Sequence, residues 1–331
     1  MCLYNDLKTI LQLFMIMKRI LLSLAMILPA LASFAQSKVY FTSDISPEAL
    51  VRIYEAVGRK AEGRVAVKIS TGEAGNPNYL KPTLIRNLVD RVHGTIVECN
   101  TAYGGKRNTN AAHWETIKAH GFDSLFAVDL LDEDGEMKIP VRDRKHLKYD
   151  IVGSHLTRYD FMINLAHFKG HPMGGLGGAL KNASIGVASA NGKAYIHTAG
   201  YQEKVEGLWD HVSDHDGFLE SMAAAAQAVD DYFGGNTLYI NVMNNMTVDC
   251  DCVARPEPVR LKDVGILAST DPVALDQACV DIIFNIKPSA GNDNKPLTER
   301  IKSRHGTHTI DHAEKIGLGS KQYTIIDIDK K

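Results

Sequence analysis

The sequence predicts an α/β protein with a mainly parallel sheet and flanking helices, built as one elaborated domain or two closely packed lobes. Short apolar runs alternate with amphipathic stretches along most of the chain, the pattern of strands and helices taken in turn. The 331 residues are 45% apolar and 23% charged, enough to bury a large core. No proline-rich linker or internal repeat divides the chain. A formal charge of −2 lacks the footprint of a nucleic-acid binder, which leaves a small molecule as the expected partner.

A first strand is expected at 38–42. Ser46-Pro47-Glu48 then offers an N-cap, a proline at the first helical position and an acid in the first turn, opening a helix to about Ala61. A β-branched strand at 64–69 follows, then a helix at 81–93 stopped by Gly94, and a strand at 95–99. Residues 110–120 read as a helix ending at Gly121. Further strands are expected at 124–128, 149–153, 161–166, 238–243, 264–268 and 323–328. Asp271-Pro272 caps a helix running to about Phe284. Parallel sheets gather their sites in loops beyond the carboxyl ends of the strands, so the chemistry is sought there.

The first 35 residues read as processing signal rather than fold. From Met17, Lys18 and Arg19 form a basic start, an apolar run covers 20–31, and Ser33-Phe34-Ala35 supplies small residues for cleavage near Ala35. This predicts an upstream extension, a signal peptide at 17–35, an exported periplasmic protein, and a single α/β domain over 36–331. The apolar run is short of the roughly 20 residues a spanning helix needs, and no other run is as long, so no membrane span is expected in the mature chain. Removing residues 1–35 leaves 34 basic and 38 acidic residues and four cysteines: Cys99, Cys250, Cys252 and Cys279. Cys99 and Cys279 sit in apolar patterns and read as small core residues.

The densest chemistry follows the strand at 161–166. His167-Phe168-Lys169-Gly170-His171-Pro172-Met173-Gly174-Gly175-Leu176-Gly177-Gly178-Ala179-Leu180-Lys181-Asn182 combines two histidines, two lysines and five glycines. Glycines let backbone N–H groups approach a ligand, and a helix beginning near Gly178 would aim its positive end at an anion. The segment is neither a P-loop nor a GxGxxG turn, and no Gly-x-Ser-x-Gly elbow occurs in the chain. Gly174, Gly175, Gly177 and Asn182 are therefore candidate substrate contacts, with Lys169, Lys181 and His171 as candidate catalytic groups.

In Asp249-Cys250-Asp251-Cys252 the two sulfurs would share a face if the segment is extended, and could share a metal, form a redox pair, or be incidental. A metal needs further ligands, for which His167 and His171 are the nearest in kind. Zinc, iron and nickel are the transition metals considered. Glu98-Cys99-Asn100-Thr101-Ala102-Tyr103-Gly104-Gly105, followed by Lys106 and Arg107, also leaves a strand end. Asn100, Tyr103, Lys106 and Arg107 could contact a carboxylate or phosphate there. Nine of the thirteen histidines fall within 155–215 and 305–312, so they are candidates to converge on one site. His211 and His215, like His308 and His312, have the i,i+4 spacing of one helical turn, although surface or capping roles serve that spacing equally well.

Taken together, Glu98-Cys-Asn-Thr-Ala-Tyr-Gly-Gly, His167-Phe-Lys-Gly-His171, Gly-Gly-x-Gly-Gly-Ala-Leu-Lys181-Asn182, Cys250-Asp-Cys252, Asp271-Pro-Val-Ala-Leu-Asp276 and Arg304-His-Gly-Thr-His308 up to Gly317-Leu-Gly319 resemble the family called domain of unknown function 362. Many of its members carry a ferredoxin-like segment and are labelled iron–sulfur proteins. This chain has no CxxCxxC run, so the resemblance does not imply a conventional four-iron cluster here. His171, Gly174, Gly175 and Lys181 are also similar in order to the lactate racemase fold, where a lysine and a histidine hold a nickel-pincer cofactor.

The expectation is an exported enzyme that binds a metal or metal-dependent cofactor and a small anionic substrate at strand-end loops, in the manner of an oxidoreductase or isomerase. Cys250, Cys252, His167 and His171 are its candidate metal ligands. One alternative is a dithiol/disulfide oxidoreductase using Cys250 and Cys252. Another is a non-catalytic periplasmic protein that binds a small anion.

Overall fold

The computed structural model describes residues 36–212 and 214–330, so the extension and signal peptide expected over 1–35 lie outside the described residues. Its centre is an eight-stranded sheet. In chain order its strands are β1 (Ser37–Thr42), β2 (Val65–Lys68), β3 (Thr95–Glu98), β4 (Val128–Leu130), β7 (Phe161–His167), β10 (Thr237–Met243), β11 (Gly265–Ser269) and β12 (Tyr323–Asp327). The spatial order is β12-β1-β11-β10-β7-β2-β3-β4. β11 runs antiparallel to both β1 and β10, and every other neighbouring pair is parallel. The mainly parallel sheet read from the sequence is therefore present, and Ser37–Lys331 form one contact unit.

Alternation along the strands feeds two faces, as a pleated sheet buried on both sides requires. Val65 and Val67 of β2 join Ile163 and Leu165 of β7 in the core under α1 (Pro47–Val57) and α2 (Pro82–Val92). Ala66 and Met162 point the other way, toward the buried α6 (His215–Tyr232), while Tyr239 and Met243 of β10 pack with α7 (Pro272–Asn285). Among the described residues, no helix is long and apolar enough to cross a membrane.

Local chemistry sets the element ends. Ser46 Oγ accepts the N–H of Ala49 at 3.1 Å, and Gly58 at φ +74° stops α1 four residues before the expected end at Ala61. Asp271 Oδ1 accepts from Val273 and Ala274 at 2.9 and 3.0 Å to open α7. Three expectations need correction. The strand placed at 124–128 starts at Val128, because Phe126 N donates to Phe122 O in a turn that follows α3 (Asn110–Ala119). The strand at Tyr149–Gly153, β6, pairs with β5 (Glu136–Pro140) in a separate hairpin, not in the main sheet. The Cys250–Cys252 segment lies in a turn, not in the extended form that would put its sulfurs on one strand face.

Candidate active site

Lys68 ends β2, Glu98 ends β3 and His167 ends β7, so three neighbouring parallel strands deliver polar side chains to one edge of the sheet. They border a cavity of about 410 Å³. Its roof comes from the glycine-rich stretch, folded as β8 (Lys169–His171) against β9 (Gly175–Gly177), then α4 (Ala179–Ala183). α5 (Ala190–His197) and the turn carrying Cys250 and Cys252 close the sides.

Close backbone approach explains one glycine in this roof. Gly170 N donates to Thr247 O at 2.7 Å, and a Cβ at Gly170 would stand 2.3 Å from Val248 O, so only glycine lets the cysteine-bearing loop lie against β8. Asn76 Nδ2 donates to Cys250 O and Val253 O, and Arg300 binds Val248 O and Asp249, fixing the loop from two further sides.

The lining is strongly basic. Lys68, Arg107, Lys169, Lys181 and Lys193 face it, against the carboxylates of Glu98 and Asp251. Most of these cations are already engaged. Lys68 Nζ and Arg107 both donate to Glu98 at 3.0 Å, and Thr71 N adds a third bond at 2.8 Å. Burial works to raise the Glu98 carboxyl, but the charges of Lys68 and Arg107 hold it well below the usual carboxylate range. Lys169 Nζ donates to Asp251 Oδ2 at 2.7 Å, and Lys193 Nζ to Ala188 O at 2.6 Å. Lys181 has no hydrogen-bond or ion-pair partner for its ammonium among the described residues. Burial, followed by the charges of Lys169 and Lys193, pushes its pKa down to about 7.

Two histidines face the same cavity with opposite tautomers. His171 Nδ1 accepts the backbone N–H groups of Met173 and Gly174 at 3.2 and 2.8 Å, so a neutral ring carries its hydrogen on Nε2. His197 Nδ1 donates to Lys193 O at 2.7 Å, which leaves the Nε2 lone pair free in the neutral ring. Burial keeps both neutral: His171 lies well below its usual value, and His197 is pushed down to about 4. One imidazole is arranged as a proton donor and the other as an acceptor.

The expected four-ligand metal set is only partly assembled. His171, Cys250 and Cys252 offer ligand atoms within 4.8 Å of one another. His167 stands outside this group, its Nδ1 on Asp251 Oδ1 at 2.8 Å and its Nε2 on Asn244 O at 2.6 Å. Cys250 and Cys252 are joined as a disulfide, which presents no thiolate to a metal, and a hydrogen on His171 Nε2 occupies the lone pair a metal would need. In this state the donor set fits a dithiol/disulfide couple rather than a resident metal.

The other candidate residues divide. Tyr103, Arg107, Gly177 and Asn182 line the cavity with Lys169, Lys181 and His171. Gly174, Gly175, Asn100 and Lys106 do not. Gly175 packs on Gly306, Asn100 is buried between Asn110 and His113, and Lys106 is exposed, its backbone N–H donating to Glu73 and its carbonyl accepting from Thr116. The positive end of α4 is not open to a ligand either, because Asp276 accepts the N–H groups of Ala179 and Leu180 at 2.8 and 2.9 Å.

The histidines converge only in part: His167, His171 and His197 line the cavity, and the others do not. His308 and His146 surround Glu220 at 3.2 and 2.7 Å, and His312 binds Asp143 at 2.7 Å, none of them facing the cavity. His211 precedes α6 and packs on Tyr201, so it does not share a helical turn with His215. Cys99 and Cys279 are both free thiols in the buried core.

Sequence reasoning did not single out Lys68, Lys193 and His197. A lysine inside a buried parallel strand was the available signal for Lys68, since such strands rarely hold an unpaired charge. Nothing local marked His197, whose role depends on α5 folding back over the cavity.

A family model described as "Domain of unknown function (DUF362)" matches residues 65–281. The chain belongs to that family. The match runs from β2 into α7 and so includes every lining residue of the DUF362 cavity. Two solved structures are similar to parts of it. The lactate racemase apoprotein from Thermoanaerobacterium thermosaccharolyticum matches 61% of this chain and 50% of its own, at 16% identity and a TM-score of 0.38. A protein from Thermotoga maritima matches 81% of this chain and 58% of its own, at 10% identity and a TM-score of 0.37. The DUF362 chain thus spans between half and three-fifths of those two chains. No curated protein matches it.

Proposed function

We propose that this DUF362 protein is an enzyme acting on a small organic anion held in the basic cavity, with Lys181 as the anion's partner and as a proton-transfer group. The observation that carries the reading is the Lys181 ammonium, unpartnered among the described residues, facing a cavity whose other cations are bound by protein groups. A pKa near neutrality lets one lysine attract an anion when charged and accept a proton when neutral. His197, with a free Nε2 lone pair, can accept a proton at the same cavity, charged Lys181 can return one, and His171, with an Nε2 hydrogen, donates a hydrogen bond to developing negative charge. A proton removed on one side of a substrate and returned on another is the isomerase-type step this arrangement supports. Lys169 keeps the Asp251 side of the cavity in place, and Tyr103, Arg107 and Asn182 shape the wall.

A transition metal such as zinc, iron or nickel would require both sulfurs reduced and the His171 proton displaced, so no step here passes through one. Export through the segment at 17–35 remains part of the proposal, tested by N-terminal sequencing of the secreted protein. The binding test is calorimetric titration with oxalate and with its uncharged isostere oxamide. Oxalate should bind to the wild type and not to Lys181→Met, while oxamide binds to neither. Equal binding of the two probes would exclude an anion site.

A further inference from the structure

We propose that Cys250 and Cys252 form a working dithiol/disulfide couple that exchanges with small anionic thiols and disulfides entering the basic cavity, and that Cys252 is the sulfur that meets them. This rests on the anion reading of the cavity and adds an electron-transfer activity to it. Both cysteines line the cavity, so a ligand held there lies against the bond. They differ in access: Cys250 is buried at 3% exposure, while Cys252 is partly open. His171 Nε2 stands 3.8 Å from Cys252 Sγ, the contact of a donor able to support negative charge on that sulfur. Cys250 Sγ accepts the backbone N–H of Cys252 at 3.2 Å, and its burial leaves it the less accessible, resolving sulfur. The loop carrying both is pinned by Asn76, Arg300 and the Gly170 contact, so opening and closing the bond need not move the cavity wall.

The exchange balances as follows. The Cys252 thiolate attacks one sulfur of R–S–S–R; a bond forms to Cys252 and the R–S–S–R bond breaks, its electron pair leaving on R–S⁻, which takes a proton from solvent. The Cys250 thiolate then attacks Cys252 Sγ, expelling the second R–S⁻ and closing the Cys250–Cys252 bond. Two electrons pass from the protein dithiol to the small disulfide, and two small thiols reverse the sequence.

The test uses the reduced, full-length chain and three disulfide probes: anionic glutathione disulfide, neutral hydroxyethyl disulfide and cationic cystamine. Peptide mass mapping should show the Cys250–Cys252 bond closing with release of two glutathiones. Cys250→Ser should hold a stable glutathione adduct on Cys252, and Cys252→Ser should form none on Cys250 in the same time. Glutathione disulfide should react about tenfold faster than cystamine, a preference that shrinks as salt is added. Failure of all three probes to close the bond would overturn the couple itself, and an adduct forming first on Cys250 would overturn the assignment of Cys252. Equal rates for the three would overturn the anionic substrate class, and with it the anion reading of the cavity, separately from the couple.

Discussion

Lys169 Nζ donates to Asp251 Oδ2 across 2.7 Å, and that one bond separates the two lysines the sequence placed on a single glycine-rich stretch. Lys169 is a structural cation with a fixed partner. Lys181, twelve positions later, faces the same cavity with none among the described residues. Truncating each should therefore give opposite phenotypes. Lys169→Met leaves the Asp251 carboxylate buried with only His167 beside it, and should lower stability by about 3–5 kcal/mol in urea unfolding. Lys181→Met should leave the fold intact and reduce oxalate affinity at least about tenfold. Similar stability losses in the two variants would contradict this division.

The pH dependence of Lys181 has a definite sign. Burial lowers its folded pKa to about 7 from an ordinary value of 10.5, so between those pH values the unfolded chain binds a proton that the folded chain does not. Stability from this group rises with pH across that window and is lost as pH falls through about 7. Lys181→Met should accordingly gain most over the wild type near pH 6, and the gain should fade toward pH 10. Denaturant midpoints at the two pH values decide it, and a gain independent of pH would refute the burial of the charge.

Glu98 works in the other direction. The Lys68 and Arg107 charges hold its folded pKa below the ordinary 4.5 despite the opposing effect of burial, so its contribution is present above that value and lost on acidification. Glu98→Gln should be less stable by about 3 kcal/mol at neutral pH, since two buried cations lose their counter-charge. The difference from the wild type should narrow below about pH 4. A difference that stays constant as pH falls further below about 4 would mean that Glu98 holds Lys68 and Arg107 by hydrogen-bond geometry rather than by charge.

Asp276 makes a fourth case. Its carboxylate accepts from Ala179 N, Leu180 N and Asn241 Nδ2, all buried donors. Asp276→Ala should lower stability by about 2–3 kcal/mol by leaving these donors unpaired. It should also weaken oxalate binding although Asp276 is outside the cavity lining, because α4 carries Lys181. Full retention of affinity would show that α4 holds its position without the cap.

Much of the fold was legible because its signals are local. Ser46-Pro47 and Asp271-Pro272 mark their helices through caps that need only neighbouring residues, a β-branched run marks β2, and an apolar run marks β7. α6 escaped notice because Ala223, Ala224, Ala225 and Ala226 are all buried, so no polar face gives it a helical period. The cysteine pair was legible as a pair, but a spacing of two fits a strand and a tight turn alike, and only the contacts of Asn76 and Arg300 select the turn. His167 and His171 look equivalent in sequence. Both line the cavity, but β7 fixes His167 on Asp251 and Asn244, while the β8–β9 hairpin leaves His171 Nε2 facing Cys252.

The cap on α4 has an effect on which positions evolution or engineering can use. A five-residue helix is too short to hold its own shape, so its alignment is set by a carboxylate almost a hundred positions further along the chain. Tuning Lys181 thus requires no change at the cavity: substitutions along the buried side of α7 that tilt Asp276 by a fraction of a bond length would shift where the lysine sits. On the proposed reading, variation in anion binding among relatives of this chain should accordingly be sought in α7 packing, which lies outside the cavity lining.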